Sequence, residues 1–120
     1  MYKAQIKEEI IQSRWIISSY MFYNNGMSSS IDYLNYVLDL LKDISGISYK
    51  KMMGEYLLYK DGMLFGGIYD DRFLIKKTKY TDTLSFKEEL PYNGAKPMYL
   101  VDVENPSIIR DIIDNLIITL

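Results

Sequence analysis

The strand arrangement of this protein is decided by residues 56–69, which read YLLYKDGMLFGGIY. Apolar and aromatic residues stand on both sides of Asp61-Gly62, a dipeptide that favours a tight two-residue turn because both central positions need a positive φ. We therefore predict an antiparallel hairpin in which residues 56–60 pair with residues 63–69.

Turn and cap signals extend this pattern on both sides of the hairpin. A second turn at Asp70-Asp71 leads into a third strand over residues 72–77. Upstream, Ser29 and Asp32 form a capping box, and apolar residues then recur at helical spacing until a glycine. These signals predict a first helix over residues 30–43.

The last third of the chain begins with a weak helical pattern over residues 78–88, from which we expect a short helix. Residues 98–103 resemble a strand, and Asn105-Pro106 then supplies a cap and a first-turn proline for a final helix. The order helix, three strands, helix, one or two strands, helix predicts a two-layer α+β fold with an antiparallel sheet.

The composition excludes several kinds of chemistry. The chain has 120 residues, of which 48% are hydrophobic, enough for one domain with its own core. It contains neither cysteine nor histidine, which excludes thiolate nucleophiles, Cys/His zinc sites and imidazole-dependent triads. We therefore expect a protein that is not an enzyme, has no cofactor or metal, and works by binding a partner.

Net charge and cysteine content bear on partners and location. The formal net charge of -2 gives no overall attraction to phosphate backbones, so any nucleic-acid site must be local. The absence of cysteine is typical of a reducing compartment, which favours a cytoplasmic location.

Residues 1–26 differ in character from the remainder of the chain. Their apolar run over residues 15–22 is too short for a membrane span and lacks the pattern of a signal peptide, so we expect neither membrane insertion nor secretion. The segment fits an amphipathic helix that packs on the domain or on a second subunit of a homodimer. Alternatively it is a tail, because Met27 directly precedes the helix-start signal. The domain itself is predicted over residues 27–120.

Two parts of the chain are similar to a known family. The runs 51–62 (KMMGEYLLYKDG) and 65–76 (FGGIYDDRFLIK) resemble the N-terminal domain of the TfoX/Sxy competence regulators, and 90–92 (LPY) with 94–98 (GAKPM) resembles that family's second signature. The resemblance covers about residues 28–120. It implies a five-stranded antiparallel sheet with the order α-β-β-β-α-β-β-α.

The resemblance also implies a function. The better-known members are bacterial regulators of natural transformation that act with the cyclic-AMP receptor protein and carry a second, C-terminal domain. This chain ends where that domain would begin, and Met53 and Glu55 stand where members often have phenylalanine and a small residue. The chain therefore resembles the stand-alone single-domain branch of the family. The family has no catalytic residues that could be assigned to positions of this sequence.

The three strands predicted over residues 56–77 form an antiparallel meander. Two motifs in this meander have both a chemical and a structural interpretation. Asp70 and Asp71 could hold Mg²⁺ or transfer protons, but a turn favours aspartate for local hydrogen bonds, and no third ligand is evident. Gly66-Gly67 could approach a phosphate, but no helix follows at the required spacing. Bulges or close backbone packing in a sheet explain these glycines better.

A partner surface is the remaining candidate site. Basic residues and tyrosines are interleaved along the meander, although a solvated strand face has the same pattern. The candidates are Lys50, Lys51, Tyr56, Tyr59, Lys60, Arg72, Lys76 and Lys77. Tyrosine is enriched at interfaces, so further candidates are Tyr33, Tyr36, Tyr49 and Tyr69. We expect a regulatory module that binds a protein partner, and direct DNA binding through the basic meander is the alternative.

Overall fold

A computed structural model of the protein describes residues 29–120, so the predicted extension over residues 1–26 lies outside the described part. The elements in chain order are α1 (Ile31–Leu40), β1 (Ile47–Met52), β2 (Glu55–Lys60), β3 (Met63–Ile68), β4 (Phe73–Ile75), a 3₁₀ turn (Thr81–Thr83), β5 (Glu88–Glu89), β6 (Met98–Leu100) and α2 (Pro106–Ile118).

The strands form one open antiparallel sheet in the order β1-β2-β3-β4-β6-β5. The predicted α+β class and the antiparallel sheet are confirmed, but within residues 29–120 the sheet has six strands where five were expected. The additional strand is β1, which precedes the predicted meander. Neither helix of the described part is long and apolar enough to cross a membrane.

Tight turns join the first four strands. Asp61 and Gly62 have φ values of 49° and 80°, and Asp70 and Asp71 have 53° and 54°, as both predicted turns require. Met53-Gly54 forms a third turn of the same kind, with φ values of 53° and 84°. This turn pairs β1 with β2, and it was not predicted because methionine is an uncommon residue at a positive φ.

The predicted helix over residues 78–88 is wrong. The segment contains the 3₁₀ turn Thr81–Thr83 and, at its end, the short strand β5. The Thr81 hydroxyl donates to the carbonyl oxygen of Lys76 at 2.9 Å and accepts from the backbone N–H of Thr78 at 2.7 Å. These bonds hold a single 3₁₀ turn, and Ser85 with φ 59° then ends the helical backbone before β5.

Each α-helix begins directly after a residue whose side chain accepts hydrogen bonds from the first backbone N–H groups of that helix. Asn105 Oδ1 accepts from the backbone N–H groups of Ser107 and Ile108, as the sequence predicts for α2. The cap of α1 is one residue later than predicted, because Ser30 Oγ accepts from the backbone N–H of Tyr33. The Ser29–Asp32 capping box is therefore wrong.

The cross-strand register sorts the strand side chains into an inner and an outer face. Tyr49 pairs with Leu58 on the inner face, where both join the apolar sides of α1 and α2 in one core. Leu57, Gly67 and Leu74 follow one another across the outer face of β2, β3 and β4. This outer face carries no α-helix of the described part, and a loop crosses it instead.

Candidate functional site

A groove of about 570 Å³ lies between the outer face of the sheet and the loop over residues 91–97. We call it the outer groove. Its lining is Leu64, Gly66, Tyr69, Lys76, Lys77, Pro91, Tyr92, Ala95, Lys96, Pro97 and Met98. Apolar and aromatic side chains therefore meet three lysines here, and no carboxylate of the described residues is part of the lining.

The aromatic floor of the outer groove depends on a missing side chain. A Cβ atom on Gly67 would lie 2.7 Å from Cε2 of the Tyr69 ring and 2.7 Å from the carbonyl oxygen of Tyr56. The Tyr69 ring therefore occupies the space that a side chain at position 67 would take, and only 9% of Tyr69 is exposed. Burial, with nearby Tyr92, Glu55 and Tyr59, raises the pKa of the Tyr69 hydroxyl to about 12, so the floor is uncharged at neutral pH.

The loop over residues 91–97 forms one wall of the outer groove, and Arg72 holds the start of this wall in place. Its Nη1 donates to Glu89 Oε1 at 2.7 Å and to the carbonyl oxygen of Leu90 at 3.0 Å, and its Nη2 donates to that of Pro91 at 3.1 Å. Its Nε donates to the carbonyl oxygen of Tyr69 at 3.0 Å, in the turn before β4. One guanidinium thus joins the loop to the sheet.

The Glu89 carboxylate strengthens this attachment. The hydrogen bond from Arg72, together with Lys87 at 3.3 Å, holds the pKa of Glu89 below its usual value despite some desolvation. The side chains of Arg72 and Glu89 are only 28% and 19% exposed, so their ion pair is better shielded from water than a pair on the open surface.

The rim of the groove presents one large exposed ring. Tyr92 is 63% exposed, and its ring centroid lies 6.3 Å from that of Tyr69. A turn in which the N–H of Ala95 donates to the carbonyl oxygen of Tyr92 at 3.1 Å directs the loop back across the sheet. Rings at floor and rim suit an apolar side chain of a ligand.

The three lysines differ in their partners. Lys77 donates to Glu88 Oε2 at 2.8 Å, and this hydrogen bond raises the pKa of Lys77 above its usual value. Lys76 and Lys96 form no ion pair with any residue of the described part. Two cationic groups at the groove are therefore available to a ligand.

The structure separates the eight residues predicted for a partner surface. Lys76 and Lys77 line the outer groove, and Arg72 positions its wall. Lys50 is exposed on edge strand β1, where it pairs with Leu57, and Tyr59 is half-buried on the same outer face.

The other three predicted residues have structural contacts elsewhere. Lys60 Nζ donates to the carbonyl oxygen of Ser45 at 3.0 Å and to Asp61 Oδ2 at 3.1 Å. Lys51 Nζ lies 5.7 Å from the ring centroid of Tyr56. Tyr56 is only 1% exposed, so its inclusion in a partner surface is wrong; strand alternation places its side chain on the inner face.

The other tyrosines also divide between core and surface. Tyr49 is 1% exposed and belongs to the core. Tyr33 and Tyr36, with ring centroids 5.5 Å apart, line a smaller groove of about 400 Å³ that also contains Asp102 and Glu104. Burial and the nearby Glu104 carboxylate raise the pKa of Tyr36. This second groove is acidic, so it differs in charge from the outer groove.

The paired aspartates have structural roles. Asp71 Oδ1 accepts from the backbone N–H of Ser30 at 2.8 Å, and the N–H of Asp71 donates to Ser29 Oγ at 3.0 Å. Ser29 Oγ donates to Glu55 Oε1 at 2.7 Å, and Glu55 also accepts from the N–H of Asp70. This network ties the start of α1 to two turns. Residues 29–120 contain no cluster of three or more acidic side chains placed to hold a metal ion.

The sequence patterns did not point to the loop side of the outer groove, which includes Tyr92, Lys96 and Met98. These three residues belong to the segment 90–98, which carries part of the family resemblance. The available signal was a tyrosine in a loop with two prolines and a glycine, followed directly by the methionine that begins β6; exposed loops seldom need such an apolar residue.

No protein-family model matches the chain, and no curated protein matches it. The resemblance to the TfoX/Sxy family therefore stays a prediction.

Proposed function

We propose that the protein is a non-enzymatic regulatory module that binds a protein partner, and that the outer groove is its docking site. The observation that carries this proposal is the joint presence in one groove of an aromatic floor, an exposed aromatic rim and two lysines, Lys76 and Lys96, that form no ion pair within residues 29–120. Exposed apolar surface bordered by charged side chains is typical of protein interaction sites.

The construction of the groove also supports docking. Arg72 donates to acceptors at Glu89, Leu90 and Pro91, which fixes the position where the loop begins, so the groove needs little ordering when a partner binds. Binding to a preformed surface costs less conformational entropy than binding to a mobile one. The resemblance to TfoX/Sxy regulators favours a partner in the transcriptional machinery of a bacterial cytoplasm.

Site-specific photo-crosslinking tests this proposal. A photoreactive phenylalanine analogue replaces Tyr92 at the rim in the full-length chain, expressed in cells. The matched control places it at Asp114, which is exposed on α2. We expect a discrete protein adduct from position 92 that is absent from position 114 and is lost when Lys96→Glu is added. Equal adducts from both positions, or none from position 92, would contradict the proposal.

Direct DNA binding is the second candidate. It is favoured by Lys76 and Lys96, which form no ion pair with any described residue and share the groove with the exposed Tyr92 ring. A basic groove with an aromatic platform can hold a nucleic-acid strand. The net charge of -2 opposes this, and we expect duplex DNA to bind no tighter than about 10⁻⁴ to 10⁻⁶ M at physiological salt.

The DNA alternative is tested by charge reversal on the meander. A variant with Lys50, Lys51, Lys76 and Lys77 replaced by glutamate is expected to keep the fold and to bind duplex DNA as weakly as the parent. An anisotropy titration over a series of salt concentrations measures both affinities. Sequence-selective binding that is far tighter, falls steeply with salt and is lost in the variant would establish the DNA alternative.

A further inference from the structure

We infer that the outer groove takes an acidic peptide segment that carries a large apolar side chain, supplied by the partner protein. This inference rests on the proposed function, since it names the chemistry of the partner at the same site. It is carried by the charge and the shape of the groove together.

Charge complementarity selects an acidic segment. The chain has 14 basic and 16 acidic residues, yet Lys76, Lys77 and Lys96 meet at the groove and no acid of the described residues lines it. Lys77 already has Glu88, whereas Lys76 and Lys96 have no ion-pair partner within residues 29–120. Carboxylates of a bound segment would pair with these two groups, and a basic segment would be repelled.

The apolar part of the lining calls for a second feature in the ligand. The Tyr69 floor is uncharged, and Leu64, Pro97 and Met98 add apolar surface beside it. A purely acidic strand would cover this surface without filling it. A tryptophan, phenylalanine or leucine flanked by acids would bury its side chain here and place its neighbours at the lysines.

The groove volume fits a peptide better than a single ion. About 570 Å³ lies in the roughly 300–1,000 Å³ range of ligand pockets, so several atoms beyond one carboxylate can enter. Nucleic acid is disfavoured because few lysines are available to neutralise phosphates, and salt-dependent affinity grows with the number of phosphates contacted.

The test uses the full-length chain labelled with ¹⁵N and peptides of about twelve residues added during NMR titrations. One peptide contains glutamate and aspartate around a central tryptophan. Matched peptides replace the acids by glutamine and asparagine, replace the acids by lysine, or replace the tryptophan by alanine. We expect the first peptide to shift amides of residues 91–98 and 64–69, and to bind at least about ten times more tightly than each of the others.

A pair of charge reversals locates the interaction. Lys76→Glu with Lys96→Glu is expected to weaken binding at least about tenfold. Lys42→Glu with Lys79→Glu changes the net charge equally at exposed positions outside the lining, and it is expected to leave the affinity within about twofold. Equal losses in both double variants would overturn the inference, because they would indicate a general charge effect.

The remaining outcomes assign the groove to another occupant. Equal affinity for the acidic and neutral peptides, or no binding of the acidic peptide, overturns the inference. Tighter binding of duplex DNA at the same amides overturns it in favour of nucleic acid. Amide shifts that depend on protein concentration without peptide overturn it in favour of a second copy. The crosslink from position 92 tests the proposed function separately, so a wrong partner chemistry is distinguishable from a wrong site.

Discussion

Arg72 Nη2 lies 3.1 Å from the carbonyl oxygen of Pro91 and donates a hydrogen bond to it, which fastens the wall of the outer groove to the turn that precedes β4. The same side chain also donates hydrogen bonds to the carbonyl oxygens of Tyr69 and Leu90 and to the carboxylate of Glu89. A planar guanidinium with five N–H donors can satisfy acceptors in several directions, whereas an ammonium group cannot match this geometry.

Arg72→Lys is therefore expected to loosen the groove while keeping the charge. We predict a loss of about 2 kcal/mol in the free energy of unfolding, because hydrogen bonds to charged groups are lost. Amide hydrogen exchange over residues 92–96 is expected to accelerate in the folded state. Arg110→Lys, an exposed position on α2, is the matched control and is expected to leave both measurements unchanged. Normal protection of the loop in Arg72→Lys would show that the wall does not depend on the guanidinium.

Gly62→Val tests the central hairpin. Gly62 has φ 80°, and a Cβ atom there would meet nothing within 4 Å, so any destabilisation comes from the backbone conformation and not from a clash. A β-branched residue resists this conformation, and we expect a loss of more than about 1 kcal/mol measured by urea denaturation. Gly62→Asn is expected to lose less, because asparagine tolerates the left-handed region. Equal losses in the two variants would contradict this explanation.

Glu55 makes stability depend on pH. Burial raises the pKa of its carboxyl above the usual 4.5, although the hydrogen bonds from Ser29 and Asp70 lower it in part. Between the unfolded and the raised folded pKa, the folded state binds a proton that the unfolded state has lost. The contribution is therefore fully present below the unfolded pKa, and stability falls as pH rises through the folded pKa.

Glu55→Gln removes this titration and keeps an acceptor oxygen for Ser29 and Asp70. We expect the variant to lack the fall in stability above the unfolded pKa of Glu55, and to be at least as stable as the parent at neutral pH. Urea midpoints measured from about pH 4 to about pH 7 provide the comparison. Asp114→Asn controls for the change in net charge. A parallel pH profile for the parent and Glu55→Gln would show that Glu55 is not the titrating group.

A chain that starts at Met27 tests the predicted domain boundary. It retains the Ser30 cap of α1 and the Ser29 hydrogen bonds to Gly54 and Glu55. We therefore expect it to unfold in one cooperative transition when circular dichroism is followed during heating. A chain that lacks secondary structure at room temperature would instead place residues before Met27 within the folding unit.

Predictions from sequence were accurate where the signal was local to a few residues. The Asp61-Gly62 and Asp70-Asp71 turns and the Asn105 cap were predicted because φ preferences and caps act over short distances. The helix predicted over residues 78–88 was wrong. The helical spacing of this segment yields one 3₁₀ turn, and Ser85 with φ 59° then ends the helical backbone.

The antiparallel meander, the closing helix and the absence of imidazole and thiol chemistry could be read from residue types and from neighbours along the chain. The outer groove, in contrast, arises from contacts between distant parts of the chain. Lys76 and Lys96 are twenty positions apart in sequence and line one groove. Arg72 reaches Pro91 because β4 pairs with β6, and β6 with β5, which ends just before the loop. Such non-local pairing follows from burial of the whole sheet, and no short stretch of sequence encodes it.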